Sequence, residues 1–253
     1  MILDQFSLAG KVAIVTGAST GLGQGISLAY AEAGAKVVGV DYVEMPETQK
    51  AVEEKGGEFV GVVANLMSTD PIEGIINTAV EKFGRVDILV NNAGIIRRED
   101  CIDFSEKNWD DVININLKTV FFFSQAVARK FIEQGNGGKI INIASMLSFQ
   151  GGIRVPSYTA SKSAVMGITR AMANEFAAHN INVNAIAPGY MATNNTAALR
   201  ADQDRSEAIL DRIPAGRWGT PADMQGPAVF LASEASNYVN GYTVAVDGGW
   251  LAR

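Results

Sequence analysis

Seven short runs rich in β-branched residues recur along the chain with helix-length segments between them, and this alternation limits the fold more than any other feature. The runs cover residues 11–17 (KVAIVTG), 35–41, 58–64, 86–94, 138–145, 181–189 and 242–249. They are almost continuously apolar, which is the pattern of parallel strands covered on both faces. The intervening segments, such as 21–33 and 70–83, carry apolar residues at helical spacing beside polar faces. Repeated strand–helix alternation predicts an α/β doubly wound sheet of about seven parallel strands with helices on both faces.

No linker, repeat or composition shift divides the 253 residues, so one domain spanning 1–253 is expected. The longest stretch without a strand, 190–241, is broken by the Pro and Gly residues of RIPAGRWGTPADM. Substrate loops are therefore expected at about 146–156 and 190–216, over the carboxyl ends of the strands where such sheets bind ligands.

A formal charge of −6 argues against a nucleic-acid or anionic-membrane partner. No apolar run approaches the roughly 20 residues of a membrane span. The first residues, MILDQFSLAGKVAIVTG, carry Asp4 and no basic segment before an apolar run, unlike a secretory signal. One cysteine, Cys101, permits no internal disulfide, and a reducing cytoplasm is expected. Cys101 and the single histidine, His179, cannot build an ordinary zinc site, so no metal is expected. His179, near a helix end, reads as a surface residue.

TGASTGLGQG (16–25) leaves the first run and opens the first helical segment. Gly17 permits a tight turn, Gly21 allows backbone to approach a pyrophosphate, and Gly23 allows close helix–strand packing. The helix N-terminus adds N–H donors and partial positive charge for that anion. Asp41 ends the second run 18 residues after Gly23, where a carboxylate can bind both adenosine ribose hydroxyls and repel a 2′-phosphate. No Arg or Lys lies in the glycine loop or at 42–45, which favours NAD over NADP.

SYTASKSAV (157–165) sets Tyr158 four residues before Lys162, one above the other on a helix, with only small residues between. Alone, such a pair could be a surface contact. A free tyrosine has a pKa of about 10 and is a poor base at neutral pH, and a neighbouring ammonium lowers that value.

TGASTGLG, NNAG (91–94), Ser145, YTASK (158–162) and PG (188–189) stand in the order and spacing of the short-chain dehydrogenase/reductases. From about residue 7 to the C-terminus the chain resembles that family, and within it a subgroup acting on sugar acids. The resemblance implies a Rossmann-type fold, an NAD cofactor and a homotetramer. It also implies that Tyr158 exchanges the alcohol proton, Ser145 holds the substrate oxygen, Lys162 lowers the Tyr158 pKa and holds the nicotinamide ribose, and Asn116 anchors a proton relay. Cofactor contacts are implied for Ser19, Thr20, Leu22, Asn65, Leu66, Asn92, Ala93, Gly94, Pro188, Gly189, Met191 and Thr193. Asn65 stands where the family has Asp at the adenine contact. Its oxygen can still accept a hydrogen bond, at a cost of a fraction of ~1 kcal/mol.

The implied substrate is a C6 keto-acid that reacts at C5, far from its carboxylate. Arg154, four residues before Tyr158, is the first candidate anchor, because an arginine fork binds a carboxylate bidentately. Arg97 and Arg98 are alternatives, and each arginine could equally face solvent. Gln150, Tyr190 and Asn194 are candidates for hydroxyl contacts. Another polyol or ketone reductase, or a non-catalytic NAD-sensing protein on the same fold, stays open. A sensor would have no need of the Asn116, Ser145, Tyr158 and Lys162 set. The long helices expected at 105–134 and 157–178 and the apolar end of the chain offer faces for symmetric contacts.

Overall fold

A computed structural model describes residues 1–253. Each predicted run contains one strand: β1 (Val12–Thr16), β2 (Lys36–Asp41), β3 (Phe59–Val63), β4 (Ile88–Asn91), β5 (Gly138–Ile143), β6 (Ile181–Pro188) and β7 (Thr243–Val246). The strands form one sheet in the order β3-β2-β1-β4-β5-β6-β7, and every pairing is parallel.

The continuous apolar pattern has a direct cause. In β1, Ala13 and Val15 join one buried cluster while Val12 and Ile14 join another, so successive residues enter opposite cores. Helices α1 (Gly21–Glu32) and α9 (Pro221–Ala232) cover the first core through Ile26, Tyr30, Met224 and Leu231. The second is covered by α3 (Ile72–Phe83), α5 (Thr119–Gln134) and α6 (Pro156–Phe176) through Ile75, Phe123, Phe131 and Met172. Large side chains such as Phe123 and Phe131, both fully buried, contribute about 1.5–3 kcal/mol each by leaving water. Helix α2 (Pro46–Glu53) packs beside α1.

β1, β2 and β3 step outward in one direction, and β4 then returns to the other side of β1. A crevice opens between β1 and β4 where the order reverses. It is tied across by Thr16, whose hydroxyl accepts from the backbone N–H of Asn92 (3.0 Å) and of Ala93 (2.9 Å). The Asn92 amide answers by donating to the carbonyls of Thr16 (2.8 Å) and Gly17 (3.1 Å).

Two segments differ from expectation. Residues 106–134 run as one continuous helix, but not as regular α-helix throughout. α4 (Glu106–Ile113) and α5 are separated by a π-helical turn, Asn114–Lys118, that carries Asn116. The stretch 190–216 is not loop alone, since it holds α7 (Ala197–Ala201) and α8 (Gln203–Arg212), the latter capped by Asp202 accepting from the Arg205 N–H at 3.0 Å.

Candidate active site

A cleft of about 770 Å³ opens at the carboxyl ends of the strands. A second cavity of similar size, about 760 Å³, lies at their amino ends around Lys11, Asp87 and Lys139, and none of the predicted site residues lines it.

One wall of the cleft is the glycine loop, with Gly17, Ser19, Thr20, Gly21 and Leu22 exposed to it. Gly17 has φ +67°, and an added Cβ would stand 2.7 Å from the Asn92 amide nitrogen. At Gly23, behind the loop, a methyl group would collide with the Gly17 carbonyl. The backbone can pass this close only without side chains, which leaves a bare cradle at the start of α1 for an anionic group. Asp41, only 8% exposed, accepts from the N–H of Ser19 (3.0 Å) and of Tyr42 (2.7 Å). Thr48 on α2 donates to the Ala18 carbonyl at 2.9 Å and accepts from Gln24 at 3.0 Å. The loop is therefore held from two sides, one of which sequence reading did not single out.

Asn65, Leu66, Asn92, Ala93 and Gly94 continue this wall. The Asn65 side-chain oxygen accepts from the Met67 N–H at 3.0 Å, so the acceptor expected to face adenine is already engaged in a local turn. Pro188, Gly189, Met191 and Thr193 line the cleft beyond β6.

The opposite wall holds Ser145, Tyr158 and Lys162. Ser145 follows β5, and its hydroxyl accepts from the Leu147 N–H at 3.1 Å. Lys162, 5% exposed, donates to the Ile143 carbonyl at 2.6 Å, and Ser148 donates to the Lys162 carbonyl at 2.6 Å. Burial pushes the Lys162 pKa down to about 8. The Tyr158 pKa is raised rather than lowered. Burial of the phenol raises its pKa, while the Ser145 hydroxyl and the Arg98 charge pull it down.

Asn116 lies behind the wall and is fully buried. Its oxygen accepts from the Ile95 N–H at 2.9 Å and its amide donates to the Ile95 carbonyl at 2.9 Å and to Ser161 at 3.3 Å. The π-helical turn gives that side chain its reach to Ile95, just past Gly94, and such turns often occur at functional sites.

The substrate candidates separate. Arg97 and Asn194 line the cleft, and Arg97 pairs with Asp111 at 3.4 Å. Arg98 donates to the Asn195 carbonyl at 3.3 Å, joining the segment after β4 to the 190–216 segment. Arg154 is outside the cleft lining. Its φ is +63°, its carbonyl accepts from the Glu99 N–H at 3.1 Å, and its guanidinium pairs with Asp100 at 3.0 Å. It staples two loops together, away from the cleft where it was expected first. Gln150 and Tyr190 are also outside the lining and are engaged with Trp250. Ile95, Ile115, Asn195 and Thr196 line the cleft without having been predicted. Their apolar or small polar side chains match no motif, so only the folded chain reveals them. His179 is exposed at the end of α6.

The sequence model of a family described as enoyl-(acyl carrier protein) reductase matches residues 17–251. A Dickeya dadantii (strain 3937) protein named 2-dehydro-3-deoxy-D-gluconate 5-dehydrogenase is 71% identical over 100% of both chains. An Escherichia coli (strain K12) protein of the same name is 69% identical, again over 100% of both. Among solved structures, a gluconate 5-dehydrogenase from Burkholderia cenocepacia J2315 in complex with NADP and tartrate matches with a TM-score of 0.95. It is 38% identical, and the match covers 100% of each chain.

Proposed function

The chain belongs to the short-chain dehydrogenase/reductase family, and from that premise we propose that it is an NAD-dependent oxidoreductase interconverting a secondary alcohol and a ketone at C5 of a sugar acid. The substrate pair is 2-dehydro-3-deoxy-D-gluconate and its 2,5-diketo form, a step in uronate breakdown. The observation that carries the reading is the convergence of Ser145, Tyr158 and Lys162 on the cleft that the glycine loop also lines. The names of two full-length relatives near 70% identity support the choice of substrate.

The bare backbone at Gly17 and Gly23 fits a pyrophosphate, and Asp41 fits the adenosine ribose. When bound, the nicotinamide ring supplies the hydride acceptor or donor. In oxidation, the Tyr158 oxygen takes the proton of the C5 hydroxyl while the Ser145 hydroxyl holds the same substrate oxygen. Lys162, buried and charged below about pH 8, favours the phenolate that Tyr158 must become. Asn116 fixes the backbone at Ile95 beside the cleft floor. Arg97 is the arginine suited to the substrate carboxylate, because it reaches the cleft.

NAD is favoured over NADP by Asp41 and by the lack of Arg or Lys at 42–45, although three solved relatives carry NADP. Residence in the cytoplasm accords with the single cysteine, and no helix is long and apolar enough to cross a membrane. The assembly is a homotetramer, for which exposed Trp109, Phe121 and Phe122 on α4 and α5 offer an apolar face. Light scattering at micromolar concentration should give a mass near four times 26.9 kDa, and a monomer mass would refute it.

The test of function is NADH formation with a panel of sugar acids. Fastest turnover on 2-dehydro-3-deoxy-D-gluconate supports the reading, and fastest turnover on gluconate transfers it to the gluconate 5-dehydrogenase type that the Burkholderia relative's name suggests.

A further inference from the structure

Trp250, three residues from the C-terminus, is 4% exposed and touches both the 146–156 loop and the 190–212 segment. Its indole N–H donates to the Gln150 side-chain oxygen at 3.2 Å, which reaches the loop 146–156. Its ring meets Tyr190 edge-on at 4.9 Å, and the Arg212 guanidinium lies 4.0 Å from the ring centre. Those two residues bracket the 190–212 stretch, with Tyr190 at its start and Arg212 at the end of α8. Around the indole, Met146 from one segment, Ile209 from the other and Ile213 just beyond it join in a small buried cluster separate from the two large cores.

The tail that carries Trp250 is itself fixed. Asp247 accepts from the N–H of Gly249 (2.9 Å) and of Leu251 (2.9 Å), and Arg253 donates to the Asp211 carbonyl at 2.8 Å. The Ala215 N–H donates to the Gly248 carbonyl at 3.0 Å. The 146–148 turn packs on α6, and Met191 joins the first core, whereas α7 and α8 pack mainly on each other and are linked to the rest through the cluster around Trp250.

We propose that Trp250 is a positioning residue that couples the 146–156 loop to the 190–212 segment, so that each holds the other in place for the substrate. This rests on the reading that these segments enclose the sugar acid. Through Met146 the coupling runs to Ser145, the adjacent residue, whose hydroxyl is anchored to the Leu147 N–H. An indole suits the role because it offers a donor at one edge and a wide face for a cation and an aromatic neighbour.

Hydrogen exchange on the full chain tests the coupling without any substrate. Gln150→Ala alters only the first loop, yet amides of 190–212 should exchange several-fold faster, and Trp250→Phe should do the same in both segments while β1 and β4 keep their protection. Kinetics on 2-dehydro-3-deoxy-D-gluconate give the second readout. Gln150→Ala and Trp250→Phe should each raise KM by roughly 3–10-fold, with kcat and NAD affinity within about twofold, and the double variant should be no worse than the worse single variant. Exchange confined to the mutated segment, or KM effects that multiply in the double variant, would overturn the proposal. A wild-type enzyme inactive on every sugar acid would strike the functional reading instead, while propagated exchange would still uphold the coupling.

Discussion

The Lys162 ammonium stands 5.6 Å from the centre of the Tyr158 ring and donates at 2.6 Å to the Ile143 carbonyl rather than to the phenol. A direct hydrogen bond would lock the two groups together. The offset instead leaves the phenol oxygen free for substrate. The charge that pulls the Tyr158 pKa down comes from further out, at Arg98, and burial outweighs it, so the pKa is raised.

Arg98 therefore sets part of the pH dependence. Burial raises the Tyr158 pKa and the Arg98 charge lowers it, so Arg98→Gln should raise it further. Oxidation needs the phenolate, and the rising limb of log kcat/KM against pH should move to higher pH in the variant. Arg98→Lys should keep the wild-type limb. Because Arg98 is exposed, the difference should shrink as salt is added. An unmoved limb in Arg98→Gln would show that the arginine does not act on Tyr158.

Asp41 should decide the cofactor. Its carboxylate is held by the N–H groups of Ser19 and Tyr42 at the cleft wall, where a 2′-phosphate would meet it. Asp41→Ala combined with Tyr42→Arg should narrow or reverse the preference for NAD, measured as the ratio of kcat/KM values for the two cofactors. Equal wild-type efficiency with both would contradict the assignment. Since Asp41 also fixes the Ser19 backbone, the double variant should lose some NAD efficiency as well.

The two arginines make opposite predictions. Arg97→Leu should raise KM for the sugar acid by roughly 10–100-fold, the scale of one charge-assisted contact, and affect a neutral ketone far less. Arg154→Leu removes an exposed pairing with Asp100 and should alter both substrates alike and mildly. A carboxylate-selective loss in Arg154→Leu, with none in Arg97→Leu, would reverse the two roles.

The sheet was legible because period and composition suffice for parallel strands, and each predicted run contains its strand, trimmed by one to several residues. The glycine loop and the Tyr158–Lys162 spacing were legible because their chemistry demands fixed residue types. What sequence could not supply was competition for partners. The Arg154 guanidinium is taken by Asp100, and Gln150 and Tyr190 are both engaged by Trp250. The π-helical turn at Asn116 was hidden because residues 105–134 keep a helical pattern throughout. Three aromatics outside the main helices and strands, Tyr190, Trp218 and Trp250, were the available sign of the small separate core.

The most direct test of the account compares wild-type protein with Tyr158→Phe, following NADH formation from NAD and 2-dehydro-3-deoxy-D-gluconate. The phenol lines the cleft and bonds no protein carbonyl, so its loss should leave thermal stability and NAD affinity nearly unchanged. The predicted result is that wild type turns over while the variant falls by at least ~10²-fold in kcat, the usual scale for losing general acid–base help. Turnover by Tyr158→Phe at the wild-type rate would contradict the mechanism.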